Sequence, residues 1–386
     1  MRVSAIYVQN YYISMKKKIF KKLYTEIFVF FLLTLFTLSA IIWILQAVNF
    51  LDIVSEDGHS IATYFKYSSL NFAKIINKTF LLSFFLSLFY IFVVYEEKNQ
   101  LLIYWSNSVS KKNFLNKIIF FSLSLTIISL ALSFQIVPYT QDKARSYIRS
   151  SNLDFFPSLI KPRKFIDTVE NLTVFIDAKK SQKIKNIILK DTSNSNNVQI
   201  IIAKNGQIIN DENKKFLILN EGKIISTNLK KRSTIFDFKE TVFDLGKYQT
   251  KTTTSTKIQE INSLDIFYCL KNINKQESRK FKNFLCQKDI KKELSQEFYK
   301  RVYLPFYILL ITIIVSFLIL NSHFEINYKF KKIQIFLIGI TMVVFSEISV
   351  NFISENDFYN LIVLIMLPIF IFVSYLIFIN RVKFSS

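Results

Sequence analysis

Six apolar runs restrict what this sequence can fold into. Each holds about 20 mostly apolar residues, the length of helix that crosses the hydrocarbon core of a membrane. The runs are Phe28–Val48, Phe72–Tyr95, Ile118–Val137, Val302–Leu320, Ile333–Val350 and Phe358–Ile379. No small-residue cleavage site follows the first run, which is also too long for a signal peptide, so we expect it to be retained. The sequence therefore predicts an α-helical membrane protein with six spans.

A long polar insert, Pro138–Lys300, separates the third run from the fourth. It opens with Thr140–Ser158, which predicts a helix leaving the membrane, and it ends in a charged, helical remainder, Ile258–Lys300. Between them lie short runs rich in Val, Ile, Phe and Thr, separated by the turn signals "KNGQ" and "NEGK". Strand-length runs at this spacing favour an antiparallel sandwich or jelly roll.

The charges predict an orientation. The net charge is +22, and lysine-rich loops alternate along the chain with acidic ones. Short loops rich in Lys and Arg stay in the cytoplasm. The basic clusters are Lys16–Lys22, Lys111–Lys117, Lys329–Lys332 and Arg381–Lys383, and the acidic loops hold Asp52, Glu56 and Asp57, then Glu355 and Asp357. We therefore expect both termini in the cytoplasm and the insert outside it. Met1 and Met15 are alternative starts of the protein.

The predicted organisation follows directly. Residues 1–27 are a cytoplasmic N-terminus, 28–137 hold three spans with a cytoplasmic loop at 96–117, and 138–300 form the external β domain. Residues 301–380 hold three more spans, and 381–386 are a cytoplasmic C-terminus.

Several kinds of site are excluded or disfavoured. The five glycines are too far apart for a Walker or Rossmann phosphate-binding loop, so we expect no ATP site and no cofactor. The two histidines are distant in the sequence, which disfavours a catalytic triad or a metal centre. For Cys269 and Cys286 in the insert, two free thiols are favoured over one disulfide.

Some basic residues lie where the orientation rule disfavours them, at the external ends of the spans. Either segments beside a translocated domain escape the rule, or these residues form a collar that binds an anionic lipid headgroup. With six spans present, lipid is a better partner for this charge than nucleic acid. The candidate headgroup ligands are Lys74, Lys78, Arg145, Lys300 and Arg301.

Three strings, in this order along the chain, resemble the LptF/LptG permease family, the transmembrane subunits of the lipopolysaccharide export ABC transporter. "WILQAVNFLDIVSEDGHS" is similar to the first span and external loop of the LptF branch. Trp43 and Gln46 in this string favour the LptF branch over the LptG branch. "IIIAKNGQII…KFLILNEG" resembles the family's β domain. "EFYKRVYLPF" matches the E-x-x-x-R-x-x-x-P pattern before span four at Glu297, Arg301 and Pro305.

The resemblance implies a role for the loop between spans two and three. There the family carries a coupling helix with the pattern E-L-x-x-x-R-A-x-G-[VI]-S, which docks on the ATPase subunit. "QLLIYWSNSVS" takes its place, with Gln100 at the Glu, Trp105 near the basic residue and Ser108 at the Gly. These departures change the residues of the usual charge contact, while an apolar-aromatic face of Leu101, Leu102, Tyr104 and Trp105 remains. The predicted coupling residues are Glu97, Gln100, Leu101, Tyr104, Trp105 and Ser108. The alternative is a surface helix that packs only on its own spans.

The resemblance also implies partners: an LptB-type ATPase dimer, an LptG-type paralogous permease, an LptC/LptA-type periplasmic bridge, and lipopolysaccharide as cargo in the bacterial inner membrane. Spans one and five form the family's lateral gate, which makes Trp43 and Glu347 gate candidates. For Glu347 an interfacial carboxylate is the alternative. Competing functions are another lipid or lipoprotein ABC exporter, whose permeases have four spans, a membrane enzyme acting on lipid headgroups, and a structural envelope protein.

Overall fold

The protein is represented by a computed structural model. It describes residues 2–51, 61–159, 162–169, 171–180, 183–194, 197–211, 214–228, 232–244, 257–273, 280–281, 284–286, 288–320, 324 and 327–384. The chain divides into two compact units: unit one is Met1–Trp43, Phe72–Thr140 and Ile258–Ser386, and unit two is Ile44–Asn71 and Gln141–Lys257. The predicted acidic loop at Asp52, Glu56 and Asp57 lies outside the described residues.

The described helices include six that are long and apolar enough to cross a membrane, which confirms the predicted spans. They are named spans 1 to 6: Met15–Asn49, Ile61–Glu97, Lys111–Ile148, Lys291–Leu320, Tyr328–Phe352 and Asp357–Lys383. The helices are α1 (Arg2–Asn49), α2 (Ile61–Glu97), α3 (Leu101–Ser106), α4 (Lys111–Ala131), α5 (Val137–Leu159), α6 (Ser263–Asn272), α7 (Lys291–Val302), α8 (Tyr307–Ser316), α9 (Tyr328–Ser349) and α10 (Asp357–Phe384). A π-helical turn, Leu132–Ile136, joins α4 to α5. The helix predicted at Thr140–Ser158 is confirmed as part of α5, whereas its exit from the membrane stays a prediction.

Span 4 is the centre of the helical core. Every side chain of α8 except Leu309 is buried, including Thr312 and Ser316, whose hydroxyls donate to the carbonyls of Ile308 and Thr312 at 2.7 Å. Spans 1, 5 and 6 instead expose most of their apolar surface. Lipid or another membrane protein must cover these faces, because exposed apolar patches of this extent are unstable in water.

Gly339 allows spans 2 and 5 to approach closely. A Cβ at this position would collide with the ring of Phe85, which is fully buried in span 2. Phe85 also contacts the ring of Phe336, one turn earlier in α9, at 5.7 Å between centroids. The absence of a side chain at Gly339 therefore fixes the packing of these two spans.

Unit two contains one six-stranded antiparallel sheet in consecutive order. Its strands are β1 (Phe165–Val169), β2 (Leu172–Lys180), β3 (Lys183–Asn194), β4 (Asn197–Asp211), β5 (Lys214–Asn228) and β6 (Ser233–Asp244). One face is covered by a cluster of buried aliphatic side chains, among them Val174, Ile176, Leu189, Leu217 and Leu219. The antiparallel β domain is thus confirmed, whereas jelly-roll connectivity stays a prediction that the described strands do not display.

Two predicted turns are wrong. "KNGQ" and "NEGK" lie inside the 15-residue strands β4 and β5 rather than between strands. The glycines serve close packing: a Cβ at Gly206 would meet Ile187 and Leu219, and one at Gly222 would meet Phe238 and the carbonyl of Ile202. Glycine in a strand often marks such a close approach rather than a chain reversal.

The segment from Ile258 to Val302 forms a small module of unit one, with its own core of Ile261, Ile266, Cys269, Ile273 and Leu294. It contains α6, α7 and a two-stranded hairpin, β7 (Lys280–Phe281) with β8 (Phe284–Leu285). The helical prediction for this segment is confirmed at α6 and α7. The prediction of two free thiols is wrong, because Cys269 and Cys286 form a disulfide, with Cα atoms 5.9 Å apart.

Candidate functional site

The chain between spans 2 and 3 forms a short helix held by two identical end motifs. After α2, the N–H of Gln100 donates to the carbonyl of Tyr95 at 2.8 Å, with Asn99 in the left-handed conformation at φ 56°. After α3, the N–H of Val109 donates to the carbonyl of Tyr104 at 3.0 Å, with Ser108 at φ 53°. Both are Schellman motifs, in which the left-handed position favours glycine. The left-handed backbone at Ser108 therefore explains why the family pattern has a glycine at this position.

The inner face of α3 packs on the helical core. Leu101 and Tyr104 are buried, and the ring of Tyr104 contacts those of Phe20 and Phe114 at 5.2 and 5.0 Å between centroids. The Tyr104 hydroxyl donates to the carbonyl of Ile19 at 3.1 Å. Burial, with a smaller contribution from the charge of Glu26, raises the pKa of Tyr104, so the hydroxyl remains a donor. Leu101 and Tyr104 are therefore anchors of the helix rather than a free contact surface.

The outer face of α3 carries Leu102 and Ile103, whose exposed fractions are 55% and 48%. Trp105 is half-buried, with its ring 5.7 Å from that of Phe114. Two neighbouring aliphatic side chains exposed on a rigid helix form a small apolar patch. Sequence reasoning included Leu102 in the apolar face but omitted Ile103. The unbroken apolar run Leu101–Ile103 could have pointed to Ile103. However, almost all six residues of α3 are apolar, so the sequence does not reveal which face of the helix is buried.

Polar contacts tie this segment to spans 1 and 5. Lys332, near the start of span 5, lies 2.9 Å from the carboxylate of Glu97 at the end of span 2. Lys16 donates to the carbonyl of Ser108 at 3.5 Å. Ser110 caps α4, its hydroxyl accepting from the N–H of Asn113 at 3.3 Å. The segment that contains α3 therefore contacts span 1 through Lys16, and the Glu97–Lys332 pair joins the end of span 2 to span 5. Sequence reasoning did not assign Lys332 to this site.

Arg301 does not belong to an exposed basic collar, which corrects its predicted role. Its side chain is 3% exposed, and its guanidinium lies 2.9 Å from the carboxylate of Glu297. It also donates to the carbonyl of Ile261 and the hydroxyl of Ser263, both at 2.8 Å, and to the carbonyl of Gln259 at 3.1 Å. These bonds leave the guanidinium committed to protein groups, so Arg301 joins span 4 to the segment that follows the β domain.

The other collar candidates are more accessible. Lys74 and Lys78 are exposed on span 2, and Lys74 donates to the side-chain carbonyl of Gln259 at 2.7 Å. Lys300 is half-buried on α7, and within the described residues neither it nor Lys78 has a hydrogen bond or ion pair. Arg145 is half-buried in unit two. Among the collar candidates, Lys78 and Lys300 are thus the two whose ammonium groups bind no described protein group.

The two gate candidates differ in their surroundings. Trp43 is half-buried, with its ring edge-on to Phe72 at 6.1 Å. Glu347 is exposed on span 5 between Val344 and Ile348, which are also exposed, and no described residue pairs with it. A carboxylate on an apolar membrane-facing surface is costly without a partner or water.

Spans 4 to 6 and the loop between spans 5 and 6 line a half-open apolar cavity of about 690 Å³ at the ends that carry Tyr299 and Tyr359. Its walls include Phe345, Ile362 and Met366, with Glu355 and Asn356 among its polar groups. Cavities of roughly 300–1,000 Å³ with few polar groups are typical of sites for small apolar ligands. This one is large enough for part of an acyl chain.

Comparisons with known proteins agree with this architecture. A family model described as "Lipopolysaccharide export system permease LptF/LptG" matches residues 22–381. The chain is also similar to the uncharacterized protein RP871 of Rickettsia prowazekii (strain Madrid E), with 23% identity over 188 residues. That match covers 48% of this chain and 52% of the relative, so the chain spans about half the length of that curated relative.

Proposed function

This chain belongs to the LptF/LptG family of lipopolysaccharide export permeases, and we propose that it works as one subunit of an ABC transporter powered by a separate ATPase. The chain has no glycine-rich phosphate-binding loop of its own, so the energy for transport must come from a partner. Its cargo is lipopolysaccharide, taken from the outer leaflet of the bacterial inner membrane.

The observation that carries this proposal is the geometry of α3. Its inner face is fixed by Leu101 and Tyr104, and its outer face offers Leu102 and Ile103. Rigid apolar side chains on a short helix can bury themselves in a groove on another protein. We assign this contact to the ATPase, an LptB-type dimer. Because Gln100 replaces the acidic residue of the family pattern, the contact is apolar rather than ionic.

A second permease subunit accounts for the exposed faces of spans 1 and 5. Both helices expose apolar side chains along their length, for example Phe36 and Ile44 on span 1 and Leu337 and Val344 on span 5. An LptG-type paralogue would cover these faces and, with them, form a lateral gate. In that arrangement Trp43 and Glu347 line the gate, and Glu347 gains water or a partner from the opposite subunit.

Extraction of the lipid requires both an apolar path and work. Removing one acyl chain from a bilayer costs about 0.8 kcal/mol per CH₂ group, so a long chain costs on the order of 10 kcal/mol. The apolar faces of the spans replace part of the lost lipid contacts, and ATP hydrolysis by the partner supplies the rest. Lys78 and Lys300 would hold the phosphorylated headgroup at the outer surface.

The exposed edge of the sheet suits a periplasmic bridge. Within the described strands β6 pairs only with β5, and it exposes Ile235, Phe236 and Val242. A long edge strand with exposed apolar side chains can pair with another sheet. We assign this edge to an LptC/LptA-type bridge, with the β domain in the periplasm and both termini in the cytoplasm.

Reconstitution tests the proposal. The chain would be purified with its paralogue and the ATPase, placed in proteoliposomes that contain lipopolysaccharide, and supplied with a bridge protein that accepts it. We expect ATP-dependent transfer of lipopolysaccharide but not of phospholipid, and no transfer with a hydrolysis-deficient ATPase. Transfer that continues with that inactive ATPase, or failure of any ATPase to co-purify, would overturn it.

A further inference from the structure

Helix α6 has two apolar faces, one buried and the other largely exposed among the described residues. Ile266 and Cys269 are fully buried. On the other side Leu264, Phe267 and Tyr268 have exposed fractions of 52%, 47% and 52%, and Lys271 is exposed as well. These four positions follow the spacing i, i+3, i+4 and i+7, so they form one continuous stripe. The stripe needs a partner outside the described residues of the chain.

The buried face prevents the stripe from turning inward. Ile266 and Cys269 belong to the core of the Ile258–Val302 module, and the disulfide from Cys269 to Cys286 fixes α6 to the chain before α7. Phe267 rests on Phe298 with the ring centroids 5.9 Å apart. The orientation of α6 is therefore set by covalent and packing constraints.

Contacts at the start of α6 fix its depth relative to the membrane. The Ser263 hydroxyl donates to the carbonyl of Phe134 in the π-helical turn of span 3. Phe134 is sixteen residues beyond Ile118, where the apolar run begins, a rise of about 24 Å along a helix. Because the hydrocarbon core is about 30 Å thick, this carbonyl lies near its far boundary.

Contacts with spans 4 and 2 place the start of α6 at the same depth in the membrane. Arg301, the last charged residue before the apolar run of span 4, binds Ile261 and Ser263. Lys74, at the polar end of span 2, binds Gln259. Three spans thus hold the residues just before α6, and its first residue, at the junction between hydrocarbon and water.

We propose that α6 is an interfacial helix: Leu264, Phe267 and Tyr268 insert into the lipid leaflet at the end of the bundle opposite the lysine-rich loops, and Lys271 reaches its headgroups. Aromatic rings concentrate at this depth in membrane proteins, and a lysine can keep its stem in the apolar layer while its ammonium contacts phosphate. The occupant is lipid because the stripe starts at the level of the headgroups. This inference does not depend on which lipid is transported.

Site-directed spin labelling of the full chain in phospholipid nanodiscs tests it. Nitroxides would be placed singly at Leu264→Cys, Phe267→Cys and Tyr268→Cys, with Glu293→Cys on α7 as an exposed control. We expect the three stripe labels to collide readily with oxygen and several-fold less than the control with a water-soluble nickel chelate. Equal access to the chelate would overturn the proposal, and so would shielding from both reagents, which would indicate a protein partner.

A second measurement avoids added thiols near the disulfide. Tryptophan would be introduced by Tyr268→Trp, and its quenching by lipids brominated near the headgroup compared with that of the parent protein, which contains Trp43 and Trp105. We expect a clear additional quenched component from Tyr268→Trp, and none from the matched variant Glu293→Trp. The same quenching in both variants as in the parent would contradict the interfacial placement.

Discussion

The hydroxyl of Tyr104 in α3 donates a hydrogen bond to the backbone carbonyl of Ile19 in span 1, with 3.1 Å between the oxygens. Together with the ring contacts to Phe20 and Phe114, this bond makes α3 part of the helical core rather than a loose loop. A force applied to the outer face of α3 therefore reaches span 1 directly.

The two faces of α3 are expected to respond differently to substitution. Tyr104→Phe removes one hydrogen bond and should destabilise the protein by about 1 kcal/mol. Tyr104→Ala also leaves a cavity and should cost about 3–5 kcal/mol. Thermal unfolding in detergent would measure both losses. Equal stability of Tyr104→Ala and wild type would contradict the anchoring role.

Leu102→Asp with Ile103→Asp should leave stability unchanged but abolish ATPase binding. Both side chains are exposed, whereas a charge in a buried interface would cost about 2 kcal/mol or more at each central contact. Co-purification with the ATPase measures the effect. Ser106→Asp, on the same helix and also exposed, is the control and should bind as wild type does. If the double variant binds normally, the contact surface lies elsewhere.

Glu97 and Lys332 should couple span 5 to the end of span 2. Their ion pair is partly exposed, so it should contribute less than about 1 kcal/mol to stability. Its effect should appear in transport instead: Glu97→Lys and Lys332→Glu each reduce ATP-dependent lipid transfer, and the combined charge swap restores it. Transfer by the swap variant that is no better than by the single variants would show that the pair is incidental.

Arg301 should be needed for folding rather than for binding a headgroup. Arg301→Met leaves Glu297 and several carbonyls without their donor, and should destabilise the protein by about 3–5 kcal/mol. Lys300→Gln, the neighbouring control, should change stability by less than about 0.5 kcal/mol. Unfolding temperature and yield would distinguish the two. A stable Arg301→Met protein that had lost only lipid binding would restore the collar interpretation.

The disulfide should stabilise the Ile258–Val302 module. Its oxidation state in cells should also show whether the module lies in an oxidising or a reducing compartment. Cys286→Ser should lower stability by about 3 kcal/mol, because the bond closes a short loop in the unfolded chain. In cells, both thiols should resist an alkylating reagent until a reductant is added. Immediate alkylation would place the module in a reducing compartment and would contradict a periplasmic β domain.

The sequence predicted the parts of the fold that depend on composition over long windows. The six spans follow from long apolar runs, and the antiparallel strands follow from short runs rich in Val, Ile, Phe and Thr. All six spans are present. The position of the segment between spans 2 and 3 was also predictable, because the order of motifs resembles the family. Six spans also separate the chain from exporters whose permeases have four.

Details that depend on tertiary contacts were not predictable. A basic residue at the end of an apolar run, such as Arg301, has the same pattern whether it reaches lipid or lies buried against Glu297. The glycines of "KNGQ" and "NEGK" read as turns because nothing local reveals that Gly206 and Gly222 face neighbouring strands. Cys269 and Cys286 could pair or not, since spacing alone does not determine a disulfide.

Photo-crosslinking from α3 tests the central claim most directly. A photoreactive residue would replace Ile103 on the outer face, or Leu101 on the inner face, in cells that express the whole transporter. We predict that position 103 captures the ATPase subunit and that position 101 captures only spans of this chain. Capture of the ATPase from neither position, or of lipid alone from position 103, would contradict the account of α3 as the helix that couples this permease to its ATPase.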